Sequence, residues 1–224
     1  MTAENALPTL TVLSHPLAPH HLSILRDERT PRAGFRGALD SLSRILALSL
    51  PVAVTYESAK ATTPVAAEYD ARRITSNFII IPILRAAVGM LEAFEDTFPN
   101  VKVAFLGMSR DENTLAPRFY YESFPPCTPR DVFIIIDPML ATGGSIVKAI
   151  SRVEETWRGS CPSAPEGGHP NLIVATIISA PEGVARIAGA HPWARLYTMA
   201  LDERLNDKGY IVPGLGDAGD RLFF

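Results

Sequence analysis

Between residues 131 and 147 the chain reads DVFIIIDPMLATGGSIV, and three kinds of residue there could do chemistry together. Asp137 ends an apolar run, a carboxylate able to accept hydrogen bonds from hydroxyl groups or to share a cation. Thr142 and Ser145 bring hydroxyl donors, and Gly143 and Gly144 between them let a ligand come close to the backbone. A helix that opens at this double glycine leaves the N–H groups of its first turn without partners. Those donors, with the partial positive charge of the helix N-terminus, suit an anion and a phosphate above all. An acid beside them suits a phosphorylated sugar, the carboxylate on ribose hydroxyls and the loop on the phosphate. The plainer alternative is a capped helix after a tight turn. Two common phosphate motifs are excluded: Lys148 comes after Ser145, so there is no GxxxxGK[ST], and no GxGxxG opens the helix.

The tail, YIVPGLGDAGDRLFF, is the second unusual stretch, with Gly214, Gly216 and Gly219 interleaved with Asp217 and Asp220. Its plainer alternative is an ordinary Gly/Pro turn near a chain end. Arg85 follows an Ile-rich run and Arg110 sits in SRDENT, each either an anion ligand or a solvated charge. His15, His20 and His21 are scattered, which favours structural or solvent roles. Tyr120 and Tyr121 could stack on a flat ring or pack in a hairpin. No Ser/His/Asp or Cys/His arrangement stands out, so nothing points to a protein nucleophile.

These residues need elements to hold them. Phe35, Leu39, Leu42, Ile45, Leu46 and Leu50 recur at helical spacing within 20–50, a core or dimer-facing stripe. Residues 51–76 contain only a short β-prone piece, PVAVTYESA. Strands are predicted at 77–84, 101–109, 131–137, 171–179 and 194–202, and helices at 89–98, 143–158 and 181–191. Residues 109–125 read as a long loop or hairpin, and 159–170 as an exposed, mobile Gly/Pro/Ser loop. Short strands alternating with helices predict an α/β fold whose mostly parallel sheet is flanked by helices on both faces. In such folds ligands bind beyond the carboxyl ends of the strands, where Arg85, Arg110 and Asp137 all fall.

Length and composition narrow the classes. A chain of 224 residues, 47% hydrophobic, suits one domain with a full core. A formal charge of −3 with no basic cluster excludes binding nucleic acid through its phosphates. No apolar run is long enough to span a membrane and no secretory signal precedes the first strand, so a soluble cytoplasmic protein is expected. Cys127 and Cys161 lack metal-ligand or CxxC spacing, consistent with a reducing compartment.

At this point IIIDPMLATGGS resembles the 5-phosphoribosyl-1-diphosphate (PRPP) loop of type I phosphoribosyltransferases, in the form found in the uracil phosphoribosyltransferase family. HPL at 15–17 with LRD at 25–27, PILRAAVGM at 82–90, SRDENTLAP at 109–117 and YIVPGLGDAGDR at 210–221 are similar to that family's other motifs, in family order over residues 13–223. The resemblance implies one Rossmann-like phosphoribosyltransferase domain over 1–224, with an N-terminal helical arm to about 50 and a base-binding hood from about 202. It implies that uracil N1 attacks PRPP, giving UMP and pyrophosphate through an oxocarbenium-like transition state, without a protein nucleophile. Asp137 and Arg110 would be catalytic. PRPP would contact Arg85, Arg110, Asp137, Pro138, Met139, Leu140, Ala141, Thr142, Gly143, Gly144, Ser145 and Asp217. Uracil would be held by Ile211, Gly216, Asp217 and Ala218, mainly through backbone groups. Mg²⁺ is expected through PRPP, with Asp217 a further ligand candidate, and the partners would be uracil, PRPP and further copies in a homodimer or larger homo-oligomer. A catalytically silent binding relative and a phosphoribosyltransferase for another base remain open. One departure matters: Ala87 stands where the family usually has glycine, and its methyl would crowd the diphosphate if that residue needed a positive φ.

Overall fold

A computed structural model of the chain describes residues 10–65, 67–110, 117–162 and 167–224. The first half runs β1 (Leu10–Val12), α1 (Ala18–Arg26), α2 (Arg32–Ser49), β2 (Tyr56–Ala61), β3 (Tyr69–Ile74), β4 (Phe78–Leu84), α3 (Val88–Thr97), β5 (Val101–Val103) and β6 (Phe105–Arg110). The second half runs β7 (Pro117–Ser123), β8 (Val132–Leu140), α4 (Gly144–Ser160), β9 (Asn171–Ser179), α5 (Pro181–Ala190), β10 (Arg195–Leu201), β11 (Arg204–Leu205), β12 (Ile211–Val212) and α6 (Ala218–Phe223).

The main sheet is ordered β1-β10-β9-β8-β4-β6-β7, with β5 also on β4. Every pairing in it is parallel except β6 with β7. Alternation along the central strands splits the core in two. Phe78, Ile80, Ile134, Ile136 and Ile173 face α1, α2, α3 and α6. Ile79, Ile81, Phe133, Ile135 and Val174 face α4 and α5. The expected sheet covered by helices on both faces is therefore present. The helices following β4 and β8 leave toward opposite faces, so a crevice opens between the carboxyl ends of these neighbouring strands.

Several boundaries differ from expectation for identifiable reasons. The helical stripe within 20–50 is two helices, broken where Pro31 caps α2 and cannot continue α1. Phe35, Leu39, Leu42 and Leu46 are fully buried against the core, so the stripe faces inward. The strand expected at 101–109 is present with a lapse at Ala104, and β5 and β6 keep one register on β4. Residues 56–74, poor in sequence signals, form the antiparallel β2–β3 hairpin. The hairpin alternative for 109–125 is the observed one, although residues 111–116 lie outside the described residues. Tyr120 lies against Gly107 at a bulge in that hairpin, packing there as the hairpin alternative expects. The 159–170 loop is anchored at both ends, with Cys161 and Pro170 buried and His169 stacked on Trp193 at 4.4 Å.

The most informative difference concerns Asp137. The strand does not end there; β8 continues beside β9 through Met139↔Ile178 and Leu140↔Ser179, the ladder passing over Pro138, which has no N–H to give. The peptide bonds Leu84–Arg85 and Val212–Pro213 are cis. Among the described residues no helix is long and apolar enough to cross a membrane.

Candidate functional site

After Leu140 the chain turns through Ala141 and Thr142 into Gly143, whose φ of 74° lies in the left-handed region, and α4 begins at Gly144. No side chain caps α4. Gly143 O accepts the first intrahelical bond from Val147 N at 2.9 Å, so the N–H groups of Gly144, Ser145 and Ile146 find no acceptor inside the helix. The turn is pressed from behind by α5. A Cβ on Gly143 would come within 2.9 Å of Gly183 O, and one on Gly183 within 2.3 Å of Ala141 O. Two glycines thus let a helix start lie directly on the back of the loop. Gly183→Ala is expected to cost about 2–4 kcal/mol of stability and to displace the loop. Thermal unfolding checks this; an unchanged midpoint would mean the contact is slack.

The loop forms one wall of a cavity of about 450 Å³. Asp137, Met139 and Leu140 of β8 form its floor, Lys208, Gly209 and Tyr210 approach from the β11–β12 turn, and Gly216 and Asp217 close the far side. Asp137 is partly exposed at this floor. Desolvation pushes its carboxyl up to about 7, opposed by the Met139 N–H that donates to Oδ1 at 3.1 Å and reinforced by the nearby Asp217 charge. The acid is therefore poised between its two charge states near neutral pH.

What holds the far wall is a tie between the two ends of the fold. Asp202 is buried beyond β10 and takes a bidentate pair from Arg26 of α1, at 2.8 and 2.6 Å. The same carboxylate accepts Gly214 N at 2.9 Å, while Arg26 also donates to Gly214 O at 2.8 Å. Gly214 has φ 65°, and a Cβ there would sit 2.1 Å from Ile211 O. Arg221 donates to the carbonyls of Leu25, Leu215 and Asp27 and lies 4.4 Å over the Phe35 ring. Asp217 caps α6 by accepting Asp220 N at 2.9 Å. The tail loop is thus fixed at both ends before any ligand arrives.

Of the residues singled out in the sequence, Asp137, Met139, Leu140, Ala141, Thr142, Gly143, Gly144, Ser145, Gly216 and Asp217 line this one cavity. Pro138, Ile211 and Ala218 are buried behind it. Arg85 is exposed at the end of β4, 5.6 Å from the Phe224 ring, and does not line it. Arg110 ends β6; its neighbours 111–116 lie outside the described residues. Ala87 has φ −67° and is buried in the core at the start of α3, so it needs no positive φ and its methyl does not face the cavity. His15, His20 and His21 stay on the α1 side, outside the cavity. Lys208, Gly183 and Asp202 were not found from sequence. Arg26 and Tyr210 stood inside the LRD and YIVPGLGDAGDR motifs, without an assigned role.

Among the described residues no three His, Cys, Asp or Glu side chains gather into a metal cage. Asp137 and Asp217, two carboxylates facing one cavity, fit a hard cation that draws its other oxygens from a bound ligand and water.

Comparison with known proteins places this geometry. The model of the family described as uracil phosphoribosyltransferase matches residues 12–224. A uracil phosphoribosyltransferase from Exiguobacterium sp. is 41% identical over 212 residues, 95% of this chain and 96% of its own. One from Campylobacter concisus is 40% identical over 217 residues, 97% and 99%. Among solved structures, the AQ2163 protein from Aquifex aeolicus aligns with a TM-score of 0.83 at 34% identity, covering 96% of this chain and 98% of that one. An adenine phosphoribosyl transferase from Trypanosoma brucei aligns with a TM-score of 0.54 at 11% identity, covering 90% and 87%, and so shares the fold.

Proposed function

The chain belongs to the uracil phosphoribosyltransferase family, and from that premise we propose that it transfers the 5-phosphoribosyl group of PRPP to N1 of uracil, giving UMP and pyrophosphate. One observation supports the donor half above all: the unpartnered N–H groups at the start of α4 line the same cavity as Asp137. The Thr142–Ser145 turn receives the 5′-phosphate, and Asp137 accepts the ribose hydroxyls. As the bond to diphosphate breaks, positive charge develops on the ribose, and the Asp137 carboxylate is already in place to stabilise it. Backbone groups of Gly216 and Ala218 read the flat, neutral edge of uracil, with Ile211 packed beneath them. Arg85 and Arg110, at the ends of neighbouring strands, meet the departing diphosphate. Asp217 and Asp137 would hold a Mg²⁺ ion brought in on substrate oxygens, and the ion would supply neutralising charge for the leaving diphosphate.

The direct test mixes protein, PRPP, uracil and Mg²⁺ and measures pyrophosphate and UMP. Binding without turnover would make the chain a silent relative; preference for hypoxanthine or orotate would make it a phosphoribosyltransferase for another base.

Lys208 adds a prediction. It is a cation in a cavity whose acidic lining is Asp137 and Asp217, and Gly209 beside it lies against Thr142. Lys208→Ala is expected to raise KM for PRPP about tenfold at low salt with kcat nearly unchanged, the gap narrowing as salt rises. An unaltered PRPP KM would remove Lys208 from the site.

We also place this chain in a homodimer or larger homo-oligomer. Neither β2 nor β3 carries a buried residue, and Tyr56 and Tyr69 stand half-exposed on them. A bare two-stranded hairpin is marginal in water, so a second copy is expected to cover it. A monomer in sedimentation velocity would refute this. The two cysteines are free thiols, which supports a cytoplasmic setting.

A further inference from the structure

Far from the cavity, at the opposite end of α4, the chain's two cysteines meet. Cys161 is the residue on which α4 ends; it is 3% exposed and its N–H is bonded to Trp157 O at 2.9 Å. Its thiol donates to the carbonyl oxygen of Cys127 at 3.7 Å, which sets the two residues side by side. Cys127 is half-buried in the segment between β7 and β8, against the same apolar cluster. Its neighbours fix it on both sides. Pro126 O accepts Lys102 Nζ at 3.0 Å, and Thr128 gives its N–H and hydroxyl to the buried Asp131 at 3.0 and 2.7 Å. Both thiols are therefore held by backbone that other contacts determine, 34 residues apart in sequence and adjacent in space.

We propose that Cys127 and Cys161 form a reversible internal disulfide when a peroxide or a small-molecule disulfide is present, stapling the end of α4 to the segment that joins β7 to β8. With hydrogen peroxide, the more accessible Cys127 thiolate attacks one oxygen, forming a sulfenic acid and releasing hydroxide. The Cys161 sulfur then attacks Cys127 Sγ, the S–S bond forms, and the second oxygen leaves as hydroxide. The two thiol protons turn both hydroxides into water; two thiols are oxidised and one peroxide is reduced. With a small disulfide the same bond forms by two exchanges, releasing two small thiols. Burial raises the Cys161 thiol pKa, and the neighbouring Cys127 and Asp131 raise it further, so the first attack falls to the more accessible Cys127. α4 is 17 residues long, so the staple lies roughly 25 Å from the phosphate turn at its other end. It constrains the unfolded chain and leaves the cavity alone.

The test treats the reduced full-length protein with a slight excess of hydrogen peroxide, quenches free thiols with an alkylating reagent and measures intact mass. The expected product is unalkylated and lighter by about 2 Da. Its digest joins the peptides bearing Cys127 and Cys161, and dithiothreitol reverses it. The oxidised protein is expected to melt roughly 5–10 °C higher than the reduced one. Oxygen added to either cysteine without a link, a disulfide between two chains, or a melting point that falls on oxidation would overturn the proposal. Cys127→Ser and Cys161→Ala, each alone, are expected to abolish both changes. The half-buried serine is the milder substitution and keeps the test decisive if the other fails to fold.

Discussion

Asp137→Asn is expected to lower kcat/KM by about 10²–10⁴-fold while making the unliganded protein more stable. The two effects have one origin. Burial lifts the Asp137 carboxyl to about 7, so holding it ionised in the folded chain is costly. Its folded value exceeds the ordinary 3.8. Between the two, the folded chain keeps a proton that the unfolded chain has lost. The stability tied to this group is fullest below about pH 4 and drains away as pH climbs through about 7. A gap of roughly three units sets a ceiling of about 4 kcal/mol. Asparagine has no charge to hold, and its amide oxygen still accepts the Met139 N–H. The variant should therefore unfold at higher denaturant than the parent at pH 8, the difference vanishing near pH 4. Activity follows the opposite form: in the proposed reaction it is the ionised carboxylate that meets the ribose, so the parent's kcat/KM should rise through about pH 7. Loss of stability at pH 8 with unchanged kinetics would contradict both the site and the electrostatics.

Asp202→Ala should separate the two halves of the site. Removing this carboxylate strands Arg26 and frees Gly214 N, at a cost of about 2–4 kcal/mol after allowing for the partial exposure of Arg26. The tail loop then loses its anchor three residues before Asp217, whereas α4 and its phosphate turn lose no contact. Uracil KM is expected to rise at least about tenfold with PRPP affinity nearly kept, the first read by steady-state kinetics and the second by calorimetry. Arg26→Ala should repeat the pattern, and the double variant should be little worse than either single one. Equal losses for both substrates would mean that the tie supports the fold as a whole.

How much of this was legible beforehand depended on range. The phosphate turn could be read because its chemistry is local: a few adjacent residues supply the glycine torsion, the hydroxyls and the helix start. The alternating α/β pattern was legible for the same reason, each buried strand announcing itself in a run such as FIIIPIL. Asp137 was found, but its position within β8 was not, since continued pairing depends on the length of β9. Asp202 looked like the unremarkable last residue of a predicted strand. Its role exists only because Arg26, 176 residues away, reaches it. Gly183 was hidden for a similar reason, as nothing local requires it; the requirement is the back of another loop. The β2–β3 hairpin gave little signal because an exposed hairpin needs no apolar alternation.

The tie between Arg26 and Asp202 also bears on how the protein is made. Synthesis runs from the N-terminus, so α1 emerges early with Arg26 unpaired and the carbonyls of Leu25 and Asp27 still waiting for Arg221. By the time α4 is complete, the emerging polypeptide holds every residue of the phosphate turn and none of the tail loop. The turn cannot settle at that stage, however, because β9, which pairs with β8, and Gly183 of α5, which backs the turn, are still to be made.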